Sequence, residues 1–121
     1  MSKRTVRFVV SLKINEGKLD AFEALTKAMI SASRKEPGTL GYDWYLSADR
    51  TRCRLVETYR DESAVLAHMT GAAVRDFVPK LIEVSSVNGF EVYGDPGAKA
   101  TEILAGFGAE IFKVWHLLAA D

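Results

Sequence analysis

The chain has 121 residues, of which 48% are hydrophobic and 26% are charged, and this is the size and composition of one folded domain. Sixteen lysines and arginines balance sixteen aspartates and glutamates, so no net positive field favours nucleic acid or an anionic membrane surface. No stretch approaches the roughly 18 apolar residues of a membrane helix. We therefore expect a protein that binds neither nucleic acid nor membrane, with the cytoplasm as its default location.

The first half of the chain predicts a strand, a helix and a β-hairpin. Residues 6–14 alternate apolar and polar positions and are rich in β-branched side chains, as in a half-buried strand. In residues 18–34 the apolar side chains recur every three or four positions, as on one side of an amphipathic helix, and a Pro-Gly pair then ends it. Residues 39–46 and 52–59 are two further strands, which should pair antiparallel because a short polar turn joins them.

The second half predicts another helix and a fourth strand. Asp61 is a candidate N-cap for helical residues 64–69, and helical spacing resumes over residues 74–82, where Pro79 can introduce a kink. Residues 84–93 alternate again, and strict alternation puts two sets on opposite faces of this strand: Val87, Gly89 and Glu91 on one, Asn88, Phe90 and Val92 on the other.

The element order β, α, β, β, α, β predicts an α+β, ferredoxin-like fold, in which helices cover one face of an antiparallel four-stranded sheet. This domain takes in residues 1–96. Residues 97–121 contain two amphipathic stretches and predict a C-terminal helical extension that docks on its own protomer or on a partner. The strands carry apolar and aromatic residues on both faces, so the sheet face without helices predicts a homodimer.

Motifs for metal or nucleophilic chemistry are missing from the sequence. The single cysteine, Cys53, cannot form a disulfide within the chain, and the spacing of Cys and His residues matches no zinc motif. There is neither a glycine-rich phosphate loop nor a GxSxG turn. We interpret Cys53 as a strand residue and expect no metal site.

Three segments resemble the antibiotic biosynthesis monooxygenases, a family of small dimeric α+β barrel proteins that includes quinol monooxygenases. They are EPGTLGYDWY before and within the second strand, LVETYRDESAVLAHM from the third strand into the second helix, and FEVYGDP at the fourth strand. The resemblance implies that dioxygen oxidises a small electron-rich aromatic (a quinol, phenol or polyketide) without a bound cofactor. A non-catalytic dimer of the same fold, which binds a small molecule or serves in a stress response, is the alternative.

His68 is the first candidate catalytic residue. It stands in the second helix where the family often has a histidine, which implies a base or hydrogen-bond partner for a phenol. The chain has Ala73 where many relatives carry a second histidine, so the resemblance does not imply a two-histidine mechanism. A solvent-facing or capped helical histidine is the alternative interpretation.

Glu57 is the second candidate catalytic residue. It alternates with Leu55 and Tyr59, so one face of the third strand presents a carboxylate between two apolar groups, where burial would raise its pKa. Three roles are open for it: orienting His68, accepting a substrate proton, or pairing with an arginine such as Arg60.

The candidate substrate-binding residues are apolar or aromatic side chains that can form the walls of a pocket for a flat ring. Packing in the core or at a dimer surface is the alternative for each of them. These candidates are Tyr42, Trp44, Tyr59, Met69 and Phe77.

Overall fold

The fold is described from a computed structural model of the chain. It covers residues 5–119, so the ends of the predicted domain and extension, residues 1–4 and 120–121, lie outside the described part. The elements in chain order are β1 (Val6–Ile14), α1 (Leu19–Ser33), β2 (Thr39–Leu46), β3 (Arg52–Tyr59), α2 (Glu62–Met69), a π-helix π1 (Ala73–Phe77), α3 (Val78–Val84), β4 (Ser85–Tyr93), α4 (Ala98–Gly106) and β5 (Glu110–Phe112).

The predicted ferredoxin-like α+β order is confirmed, but the predicted antiparallel four-stranded sheet is wrong. The sheet has five strands in the order β2-β3-β1-β4-β5, and β5 pairs parallel to β4 while the other pairs are antiparallel. Without β5, β4 would be an edge strand with unpaired backbone groups. The predicted helical extension is therefore helical only over α4, and its second stretch is β5 followed by irregular chain.

The helices cover one face of the sheet, and β1 shows how the sequence directs this. Its alternate residues Val6, Phe8, Val10, Leu12 and Ile14 are all buried, because successive strand side chains point to opposite faces. Burying these apolar side chains drives the packing, at ~25 cal/mol per Å² of area removed from water. Helix α4 packs on the same side, so part of the C-terminal extension docks on its own protomer.

A β-bulge corrects the predicted faces of β4. Ser11 pairs with Gly89 and Leu12 pairs with Val87, so the register shifts and Asn88 is the extra residue. Val87 and Phe90 consequently lie on the same, helix-covered face. Strict alternation had placed them on opposite faces.

Pro79 lies in the first turn of α3, directly after π1. A proline is tolerated there, since the first backbone N–H groups of a helix have no intrahelical partner. The preceding turn is the π-helix, which is wider than an α-turn and is frequently found at functional sites. None of the helices within residues 5–119 is long and apolar enough to cross a lipid bilayer.

Candidate functional site

A cavity of about 240 Å³ lies between the helices and the sheet. This is large enough for a substituted aromatic ring, since an apolar cavity of ~150 Å³ holds benzene. Three of its lining residues are exposed and lie at its mouth: Ile82 on α3, Val87 on β4 and Phe107 after α4. The lining residues are Phe8, Val10, Leu12, Met29, Tyr42, Leu55, Glu57, His68, Met69, Val74, Val78, Leu81, Ile82, Val87, Phe90 and Phe107.

The cavity is polar at one place only among these lining residues, where Tyr42, Glu57 and His68 meet. The His68 ring is 5.2 Å from the Tyr42 ring, centroid to centroid, and its Nε2 lies 3.6 Å from Glu57 Oε1. All three side chains are buried. A ring that carries a hydroxyl would therefore find hydrogen-bonding groups only at this end.

His68 is held from its other side by Glu36. The distance from Nδ1 of His68 to Glu36 Oε1 is 2.8 Å, and the histidine side chain is only 2% exposed. The alternative of a solvent-facing histidine is therefore wrong. The predicted pairing of Glu57 with Arg60 is also wrong, because Arg60 pairs with Asp61 at 3.3 Å.

Local sequence features position these groups. Asp61 accepts a hydrogen bond from the backbone N–H of Ala64 at 2.9 Å and so begins α2 as the predicted N-cap. Seven residues after this cap, His68 lies in the last turn of α2. In β3, alternation puts Glu57 on the helix-covered face, while Thr39 donates its hydroxyl hydrogen to Glu36 at 2.7 Å and fixes that carboxylate.

The surroundings shift the pKa values of the two carboxyl groups in opposite directions. Burial raises the pKa of Glu57, although His68 and the hydroxyl of Tyr59, which donates to its carboxylate, act against this. Burial also acts to raise the pKa of Glu36, but the hydrogen bonds from His68 and Thr39 outweigh it and lower the pKa. Glu36 is thus a stable carboxylate, and Glu57 is the carboxylate that takes a proton more readily.

Two buried tyrosines complete the cluster. Burial and the neighbouring Glu57 charge raise the pKa of both Tyr42 and Tyr59 well above the ordinary value. Both therefore stay neutral phenols near neutral pH. Tyr59 lies behind the cavity, with its ring 5.2 Å from that of His68.

The predicted site residues are only partly brought together. His68, Glu57, Tyr42 and Met69 line the cavity, whereas Trp44 lies at a smaller pocket of about 150 Å³. Trp44 is two positions beyond Tyr42 on β2, and there its ring packs edge-on against Phe22 at 6.0 Å.

Phe77 also lies outside the cavity. It ends π1, and the wider π-turn changes which positions face the sheet, so that Val74 and Val78 line the cavity instead. The Phe77 ring packs at the edge of the core with the Lys80 ammonium 5.8 Å from its centroid.

Sequence reasoning missed Glu36 and Phe107. Glu36 begins the segment EPGTLGYDWY, which indicated the end of a helix and the family resemblance but no role for Glu36. Its contact with His68 is 32 residues away in sequence and leaves no local pattern. Phe107 follows α4 and packs beside Phe90, with centroids 6.3 Å apart, at the mouth of the cavity. The extension of the same protomer thus contributes to the cavity wall.

Comparison with known proteins places this geometry in a family. The sequence profile described as antibiotic biosynthesis monooxygenase matches residues 5–80. The chain belongs to this family. No protein with a curated description matches it significantly.

Solved structures extend the likeness of this family member beyond the matched segment. MupZ from Pseudomonas fluorescens is 23% identical, with a TM-score of 0.80 over 97% of this chain and 95% of that one. Rv0793 from Mycobacterium tuberculosis is 28% identical, with a TM-score of 0.62 over 72% of this chain and 91% of that one. SO0527 from Shewanella oneidensis is also 28% identical, with a TM-score of 0.62 over 75% and 88% of the two chains. The fold, including the C-terminal extension in the case of MupZ, is therefore shared.

Replacing Glu57 with glutamine should stabilise the protein at neutral pH and have little effect in acid. Because the folded protein raises the pKa of Glu57, its contribution to stability is fully present below the ordinary pKa and is lost as the pH rises through the raised value. Glutamine has a similar shape and carries no charge to bury. We expect the free energy of unfolding to rise by about 1 kcal/mol at neutral pH, measured by urea denaturation across a pH series.

The matched control is Glu16→Gln, because Glu16 is exposed and its replacement removes the same charge. That variant should follow the wild-type pH profile. If the free energy of unfolding of Glu57→Gln ran parallel to that of the wild type at every pH, the burial argument would be contradicted.

Proposed function

We propose that the protein is a monooxygenase that uses dioxygen, without a bound cofactor, to oxidise a small electron-rich aromatic such as a quinol, phenol or polyketide. The observation that carries the proposal is the buried pair of Glu57 and His68 at one end of a ring-sized apolar cavity. Membership of the family supports oxygenation in general. The proposed class of substrate rests on the size and the lining of the cavity.

Binding is the first task of the cavity. Its aliphatic and aromatic walls, such as Leu81 and Phe90, would hold the ring and exclude water, and the hydroxyl would point to Glu57 and His68. Orientation and the exclusion of water both lower the barrier of the following steps.

Removal of the phenolic proton is the second task. A neutral phenol gives up an electron poorly, whereas a phenolate can reduce dioxygen directly. Nε2 of His68 and the Glu57 carboxylate are the acceptors within reach of the cavity, and a positioned base of this kind contributes a rate factor of ~100 to 10,000.

The overall reaction balances without an outside reductant. The phenolate transfers an electron to dioxygen, and a bond then forms between a ring carbon and one oxygen atom, which gives a ring peroxide. The protonated base gives a proton to the outer peroxide oxygen. The O–O bond breaks as the ring carbon loses its hydrogen, so one phenol and one dioxygen give one quinone and one water, and the substrate supplies all the electrons.

We further propose that the protein acts as a homodimer. On the sheet face without helices, Val9 pairs with Val56 at the centre, and the exposed side chains of Tyr45 and Tyr93 lie on the same face. A second copy would remove these apolar side chains, which lie among polar residues such as Ser11 and Arg54, from water. Sedimentation at micromolar concentration tests the assembly, and a species with the mass of one chain would contradict it.

The activity is tested by oxygen uptake with a panel of hydroquinones in the presence of a metal chelator. We expect one dioxygen consumed per substrate and one atom of labelled oxygen in the quinone. Binding of the hydroquinones without oxygen uptake would contradict the proposal and favour the non-catalytic alternative.

A further inference from the structure

His68 lies between the cavity and Glu36, and this arrangement limits how it can exchange protons with water. The His68 side chain is 2% exposed, the Glu57 side chain 5% and the Glu36 side chain 16%. A ring in the cavity would cover the Glu57 side of this cluster. Glu36 is then the member of the cluster that still reaches solvent.

We propose that Glu36 is the solvent end of a proton relay, through which Glu57 and His68 exchange protons with water while an aromatic ring fills the cavity. The relay rests on the proposed function, because it gives the removed phenolic proton a path out. Glu36 acts through His68 and does not touch the substrate, so it is a positioning and relaying residue.

The outward step uses the two nitrogen atoms of the imidazole. Glu36 is a carboxylate before the proton moves, so it accepts the hydrogen bond from Nδ1–H of the neutral ring across 2.8 Å, and Nε2 presents its lone pair to Glu57 and the cavity. The phenolic proton reaches Nε2, directly or from Glu57. The proton on Nδ1 passes to Glu36 and from there to water.

The return step restores the starting state. Water protonates Glu36, Glu36 protonates Nδ1, and Nε2 gives its proton to the peroxide oxygen. One proton leaves and one returns, so His68 ends with its proton on Nδ1 again. The cycle therefore agrees with the overall reaction, which releases no net proton.

The other groups around His68 within residues 5–119 do not offer an equivalent route. Tyr42 and Tyr59 are buried and hold their protons more tightly than an ordinary tyrosine. On the outer side of Glu36, Gly71 has no side chain, and a Cβ built there would lie 3.1 Å from Glu36 Oε2. A side chain at position 71 would therefore crowd the carboxylate oxygen that is not bound to His68.

The test uses 4-nitrophenol, which is too electron-poor to react with dioxygen and turns yellow on deprotonation. Rapid mixing at a pH below its pKa follows the yellow phenolate on the protein, and a pH indicator follows the proton in the buffer. In the wild type we expect both signals at one rate. In Glu36→Gln the phenolate should still form, while proton release should slow by about tenfold or more.

A second variant separates relaying from a purely structural role. Glu36→Ala leaves a space beside His68 Nδ1, and added formate should restore fast proton release in this variant but not in Glu36→Gln, where the side chain fills the space. The control Glu16→Gln should behave as the wild type.

Equal release rates in Glu36→Gln and the wild type would overturn the relay, as would a failure of formate to accelerate release in Glu36→Ala. If the wild type binds 4-nitrophenol without deprotonating it, the base assignment in the proposed function fails and the relay fails with it. These two failures are distinguishable, because the second is already visible before any variant is made.

Discussion

Replacing His68 with alanine is expected to lower kcat for hydroquinone oxidation by about 100-fold or more, measured as oxygen uptake without metal. The reason is that the substitution removes the cavity group that accepts the phenolic proton, and a general base is worth ~100- to 10,000-fold. Because the apolar walls remain, KM should change much less than kcat, which is the pattern of an interaction that acts in the transition state.

The chain provides its own control in His116, its other histidine. His116 is exposed in the C-terminal segment, beside Trp115, and His116→Ala should retain the wild-type rate. His68 is buried, so the free energy of unfolding of both variants must be measured, and His68→Gln provides a less disruptive replacement. Wild-type turnover in a folded His68→Ala protein would show that the base lies elsewhere.

Replacing Gly38 with alanine is expected to lower the free energy of unfolding by about 2–3 kcal/mol, which is in the range of overpacking substitutions. A Cβ at this position would overlap the Cβ of Ala64 and lie 3.3 Å from its Cα. The obstacle includes backbone, so α2 would have to move away from the turn after α1. Because Glu36 and His68 lie on these two segments, the shift would also lengthen their 2.8 Å contact.

Gly106→Ala is the matched control, since beyond its chain neighbours and the backbone of α4 no atom lies within 4 Å of a Cβ built there. Alanine is favoured over glycine in a helix by ~1 kcal/mol, so at the end of α4 the substitution should be neutral or slightly stabilising. Urea denaturation of both variants measures the difference. Equal free energies of unfolding for Gly38→Ala and Gly106→Ala would mean that α2 accommodates the methyl group, and the packing argument would then be wrong.

Much of the site follows from patterns within a few residues. The alternation of β3 put Glu57 on the same face as Leu55 and Tyr59, and the N-cap Asp61 identified the start of the helix that carries His68. These features depend on side-chain direction in a strand and on unpaired N–H groups at a helix terminus, both of which are local properties of the chain.

Other features depend on contacts that no local pattern encodes. The bulge at Asn88 turns Val87 towards the cavity because β1 and β4 pair out of strict register, and π1 turns Phe77 away from it. Phe107 reaches the cavity mouth because α4 packs against the core and turns the chain back over the sheet.

The sequence by itself determined the element order as far as β4, the helix-covered faces of β1 and β3 and the membership of the family, because periodicity and short motifs are properties of neighbouring residues. Only the tertiary structure decided that β5 pairs parallel to β4 and that Glu36 holds His68. Both are contacts between segments that are distant in the sequence, and their geometry depends on how the helices pack against the sheet.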